Sequence, residues 1–129
     1  MKPHRILVTG SRDWRHLGVV LRALDEAAAT VPHDQPLIVV HGDCPTGADR
    51  FAKAWAQRNS DRGVTEEAHP AHWRTGGQLD RAAGPRRNEA MVAAGADICL
   101  AFIRNGSRGA THCAALAEQA GIPVHRFTA

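Results

Sequence analysis

Short unbroken apolar runs alternate along this chain with stretches whose apolar residues recur every three or four positions. Arg5-Ile6-Leu7-Val8-Thr9 is the first run, closed by the turn Gly10-Ser11-Arg12-Asp13-Trp14. Leu17, Val20, Leu21, Leu24 and Ala28 then trace one helical face, and Pro32 marks its stop. Leu37-Ile38-Val39-Val40 predicts a second strand, which runs into a glycine-bearing bend from His41 through Gly42, Asp43 and Gly47 to Asp49. A second helix places Ala48, Phe51, Ala52, Trp55 and Ala56 on one side, and Val64 to Ala68 predicts a third strand. From His69 to Pro85 the residues read as loop, broken by Gly76-Gly77 and Gly84-Pro85. A third helix is expected to open after Pro85, with Arg86, Arg87 and Asn88 in its first turn, and to end at Ala94-Gly95. Ile98 to Ile103 has the length of a strand covered on both faces. After a bend at Gly106 and Gly109, Thr111 reads as the N-cap of a fourth helix, with Cys113, Leu116, Ala117 and Ala120 on its apolar face. Gly121-Ile122-Pro123 ends that helix, and Val124 to Phe127 makes a fifth strand.

Five β-α units in strict alternation predict one α/β domain over residues 1–129. The expected architecture is a doubly wound parallel sheet, order 3-2-1-4-5, with helices on both faces. In such sheets the ligand sits beyond the carboxyl ends of the strands, where strand order reverses. Here that point falls between the first and fourth strands. Three bends carrying Gly, Ser, Thr, Arg and Asp would then converge on one edge of the sheet. A helix that starts after a glycine bend turns free N–H groups and its positive dipole end outward, which suits a phosphate. On that logic Gly106, Ser107, Gly109 and Thr111 form an anion cradle. Gly10, Ser11 and Arg12 add a turn, a hydroxyl and a guanidinium, and Arg86, Arg87 and Asn88 offer further donors. Asp43 and Asp49 can take ribose hydroxyls, although Asp49 can equally cap the second helix. The Gly106–Thr111 bend is neither a Walker A loop nor GxGxxG, so its place after a buried strand matters more than its spacing.

Composition narrows the class without naming a function. The 129 residues are 43% apolar and 22% charged, as in an ordinary globular domain. No apolar run approaches a membrane span and no signal-peptide core precedes the first strand, so a cytoplasmic protein is expected. The net charge of +3 permits an anionic partner, but the basic residues are dispersed rather than gathered into a nucleic-acid stripe. Cys44, Cys99 and Cys113 form no CxxC pair and read as reduced thiols. His69 and His72 flank Pro70 with no third ligand at a defined spacing, so no metal is expected. Trp14 and Trp73 fall in loops, where an indole can stack on a base, whereas Trp55 falls on a helix's apolar face.

The runs Thr9-Gly10-Ser11-Arg12, Gly42 to Asp49, Gly84 to Met91, and Gly106 to Thr111 occur in this order over nearly the whole chain. Together they resemble the YspA-like branch of the SLOG superfamily. The resemblance implies a Rossmann-like sheet, a nucleotide or NAD-derived ligand such as AMP, ADP-ribose or a cyclic relative, no required cofactor, and a homo-oligomer. The chain is more distantly similar to the phosphoribohydrolases of that superfamily, which carry Pro-Gly-Gly-x-Gly-Thr-x-x-Glu at the bend before the fourth helix, with a catalytic Glu. Aligning the glycines puts Ser107 at the second glycine, Ala110 at the Thr and Cys113 at the Glu. Cleaving an N-glycosidic bond builds oxocarbenium character that a carboxylate stabilises, and Glu89 is the nearby candidate to supply it. The leading reading is therefore a nucleotide-binding protein: a sensor, a sequestering protein or an enzyme. The alternatives are a nucleotide N-glycosidase acting through Glu89 and a DprA-like single-stranded DNA binder, against which the dispersed charge counts.

Overall fold

Strand residues that alternate toward two faces need a helical layer on each, and the computed structural model, which describes residues 2–129, has both. Among the described residues the elements are β1 (His4–Gly10), α1 (Leu17–Ala29), β2 (Leu37–His41), α2 (Gly47–Arg58), β3 (Val64–Ala68), β4 (Arg74–Thr75), β5 (Gln78–Leu79), α3 (Ala83–Ala93), β6 (Ile98–Ile103), α4 (Arg108–Gln119) and β7 (Val124–Thr128). The main sheet runs β3-β2-β1-β6-β7, all neighbours parallel. With the β4-β5 hairpin set aside, this is the expected 3-2-1-4-5 order, and the Rossmann-like α/β fold follows.

Ile6, Val8, Leu37, Val39, Leu100 and Phe102 belong to one core, shared with Val20 and Leu24 of α1 and Ala52 and Trp55 of α2. Leu7, Val40 and Cys99 belong to the opposite core, with Met91 of α3 and Cys113 and Ala117 of α4. The period-two alternation of the strands thus assigns α1 and α2 to one face and α3 and α4 to the other. Among the described residues no helix is long and apolar enough to cross a membrane.

Four details differ from the sequence reading. Helix α3 begins at Ala83 rather than after Pro85. Proline is accommodated there because the first-turn N–H groups have no intrahelical acceptor to lose. Helix α4 begins at Arg108 behind Ser107, because Asn105 and Gly106 both take positive φ (52° and 61°) and complete the bend early. Thr111 is therefore inside the helix and is not its cap. The expected loop between His69 and Pro85 contains the β4-β5 hairpin, whose Gly76-Gly77 turn takes positive φ at both residues, as tight hairpins require. Finally, Trp14 is buried at 3% exposure against Phe102, 5.6 Å between ring centroids, and is not free to stack on a base.

The turn after β1 is stitched to the bend after β6. Ser11 N–H donates to the Phe102 carbonyl at 2.9 Å, and Arg104 N–H donates to Ser11 Oγ at 2.8 Å. Helix α2 lies so close to this turn that a Cβ on Gly10 would stand 2.3 Å from Ala48 Cβ. Gly10→Ala is accordingly expected to cost about 1–3 kcal/mol through overpacking, with each kcal/mol lowering Tm by about 3–5 °C for a chain of this size. Gly18→Ala, in α1 with nothing within 4 Å of the added methyl, should leave Tm unchanged or raise it. Thermal melts of the two variants check both signs.

Candidate ligand-binding cleft

A cleft of about 920 Å³ opens beyond the carboxyl ends of β1, β2 and β6, beside the β1-β6 boundary where strand order reverses. Thr9 and Gly10 line it from β1, Asp43 and Asp49 from the β2–α2 segment, Arg87 and Asn88 from α3, and Ser107 to Ala110 from the start of α4. Pro70, Ala71 and Trp73 close the remaining side.

The start of α4 is uncapped. Ser107 makes no side-chain cap bond and the first turn holds no acidic residue. The leading N–H groups of the helix, at Arg108, Gly109 and Ala110, are thus left for an external acceptor. Arg108 adds a guanidinium at the same place.

Arg87 is held among the strand ends by three hydrogen bonds. Its Nη1 donates to the Gly42 carbonyl at 2.7 Å and to the His69 carbonyl at 3.4 Å, and its Nε donates to Asn88 Oδ1 at 2.9 Å. That last bond fixes the Asn88 amide, whose Nδ2 donates to the Gly109 carbonyl and to His112 Nδ1, both at 3.3 Å. Asn88 is 4% exposed, so the centre of this relay is buried. Gly42 is a glycine for this reason: a Cβ there would meet Arg87 Nη1 at 2.3 Å.

Asp49 lies beside Gly42 and Arg87, in the first turn of α2 and 6% exposed. Cys44 N–H donates to its Oδ2 at 3.2 Å, while its buried Oδ1 has no partner. Burial raises its pKa, against the lowering effects of the Cys44 N–H, His41 and Arg87. The other two carboxylates of the cleft are engaged, Asp13 with Arg104 at 3.6 Å and Asp43 with Lys53 at 3.7 Å. Trp73 is 37% exposed, with the Arg12 guanidinium 5.0 Å from its ring centroid. A Cβ on Gly84 would lie 2.9 Å from the indole, so that glycine lets the ring sit against α3.

Of the residues proposed from sequence, Gly10, Arg12, Gly42, Asp43, Asp49, Arg87, Asn88, Ser107 and Gly109 line the cleft. Ser11 does not: its hydroxyl is spent on the Arg104 backbone. Gly47 and Gly106 lie outside the lining, and Thr111 is exposed on α4. Arg86 is exposed and paired with Asp80. Glu89 is exposed and outside the lining, because α3 turns that position away from the sheet. Cys113 is fully buried, and burial pushes its thiol up to about 11, so it supplies no anion in place of a carboxylate. Among the described residues no three His, Cys, Asp or Glu side chains gather where a metal could be held. The sequence reading missed His112, Arg108 and the Arg87–Asn88 relay. Once α4 starts at Arg108, Gly109 and His112 are three apart and share a face.

A family described as YspA, cpYpsA-related SLOG matches residues 4–76, which include β1, β2 and both bends that follow them. The gene 61 protein of Mycobacterium phage D29 is 44% identical over 125 residues, covering 95% of each chain, so its likeness extends through α3 and α4. No solved structure matches.

Two carboxyls near the cleft titrate with opposite consequences. Glu67 is held at about 2, first by the Arg5 guanidinium (2.7 and 2.9 Å) and then by His69 at 2.8 Å. Its folded pKa lies below its ordinary 4.5, so its stabilisation is present above 4.5 and is lost as pH falls toward 2. Asp49 holds its proton more tightly when folded, so stability is lost as pH rises from the ordinary 3.8 through the raised value. Glu67→Gln should therefore lower Tm at neutral pH by a margin that shrinks on acidification below 4.5. Relative to the native chain, Asp49→Asn should gain in Tm as pH rises from about 4 to about 7. Melting curves from about pH 2 to about pH 7 check both.

Proposed function

The chain belongs to the YspA, cpYpsA-related SLOG family, and from that premise we propose that its cleft binds a nucleotide or a nucleotide-derived ligand. One observation carries the reading. The cleft brings an uncapped helix N-terminus with two arginines, Arg87 and Arg108, together with a buried carboxylate, Asp49, in one lining. Phosphate needs the first; a ribose hydroxyl, which donates, answers the second. The volume suits a ligand of this size. Trp73 with the Arg12 guanidinium over its ring gives the cleft a planar cationic surface on which a base can stack.

The site reads as one for binding rather than for cleaving the glycosidic bond. Cys113 is a buried thiol where the superfamily's hydrolases carry their carboxylate, and Glu89 stands outside the cleft. The remaining lining carboxylates, Asp13 and Asp43, are occupied by Arg104 and Lys53.

Thermal shifts with adenosine 5′-monophosphate and ADP-ribose, set against adenosine and free phosphate, test the reading. A bound ligand at 100 times its Kd adds about 2.7 kcal/mol, enough to move Tm by several degrees. Gly109→Asp is the informative variant, because nothing lies within 4 Å of the added Cβ. A carboxylate there complements the helix dipole, by about 0.3–1 kcal/mol, while occupying the anion site. The expected result is an unchanged or raised Tm without ligand and loss of the nucleotide shift. Equal shifts with adenosine and its monophosphate, or none at all, would contradict the reading.

A further inference from the structure

Beside the cleft lies a shallower recess of about 420 Å³ that shares Arg12, Asp13 and Thr46 with it and continues over Arg15, Arg50 and Phe51. Arg12, Arg15 and Arg50 are all exposed, and among the described residues none of them has a carboxylate within ion-pair distance. The acid within the recess, Asp13, is directed to Arg104 instead. Arg15 and Arg50 are exposed cations on this concavity, the Arg12 guanidinium lies over the Trp73 ring at its border with the cleft, and an anion seated there is attracted by all three. Arg12 stands on the boundary of both concavities, so a ligand leaving the cleft along this side enters the recess directly.

Resting on the nucleotide reading above, we propose that the ligand is a nucleotide carrying a second phosphate group, seated in the Arg12–Arg15–Arg50 recess while the first lies at the α4 N-terminus. The requirement is for a second anion on the same small molecule. A pyrophosphate-linked extension and a second monoester on the ribose both meet it. Continuity with a closed-sided cleft favours a small ligand over a long polyanion, because the basic residues of the recess lead into that cleft rather than along a strip. Arginine suits the task, since its planar fork takes phosphate oxygens two at a time.

Calorimetric titration of adenosine 5′-monophosphate, ADP-ribose and adenosine 3′,5′-bisphosphate, each against the native chain and the double variant Arg15→Ala/Arg50→Ala, tests this. Both side chains are exposed and unpaired, so the double variant should melt with the native protein. The expected result is that one doubly phosphorylated ligand binds about tenfold or more tightly than the monophosphate. That advantage should be lost in the double variant, while monophosphate affinity is retained. If ADP-ribose carries it, the second group is a pyrophosphate; if the bisphosphate carries it, a ribose monoester. Equal affinity for all three ligands, or an advantage that survives the double substitution, would overturn the proposal and leave the nucleotide site standing. Tighter binding of a single-stranded oligonucleotide than of either small ligand would also overturn it. No binding by any of the three overturns both readings.

Discussion

Arg87 has room for its guanidinium only because residue 42 lacks a side chain. The guanidinium occupies the space a Cβ would take, at 2.3 Å, and donates from there to the Gly42 carbonyl at 2.7 Å. From that seat it joins the end of β2 to the His69 carbonyl after β3, and its Nε fixes Asn88, which in turn holds Gly109 and His112 of α4. Three segments that are distant in sequence are thereby set at one edge of the sheet. Arg87 is partly buried, and the acceptors that hold it are supplied by the fold itself. The arrangement ties the geometry of the cleft to the integrity of the fold.

The same economy of partners explains why the cleft is unsatisfied where a ligand is expected. Lining acids that could neutralise the arginines are directed elsewhere, Asp13 to Arg104 and Asp43 to Lys53. Asp49 is near Arg87, yet burial prevails and its pKa is raised. The first N–H groups of α4 lack a capping side chain and call for an acceptor, while Asp49 keeps a buried oxygen that calls for a donor. Apolar packing alone does not produce that complementarity.

The sheet was legible in the sequence because its signal is periodic. Ile6 and Val8 alternate with Leu7, Leu100 and Phe102 alternate with Cys99, and burial enforces the pattern on both faces. Helix starts were less legible, because they depend on backbone torsions that no residue type dictates. Asn105 in the left-handed region moved the start of α4 three residues ahead of the expected Thr111, and with it Thr111 left the site and His112 entered. Pro85 looked like a boundary and proved to be a first-turn residue. Side-chain direction was the least legible of all. Arg86, Arg87, Asn88 and Glu89 are consecutive on α3, and only the middle two face the cleft, since a helix turns 100° per residue. Ser11, correctly placed at the switch point, spends its hydroxyl on closing the fold.

Amide chemical-shift mapping with adenosine 5′-monophosphate reads the central claim at the residues concerned. The account expects the largest perturbations at the Arg108, Gly109 and Ala110 amides, with smaller ones at Gly10 and at the Trp73 indole. Perturbations confined to β7 or to the exposed face of α1, or a spectrum unchanged at millimolar ligand, would contradict it.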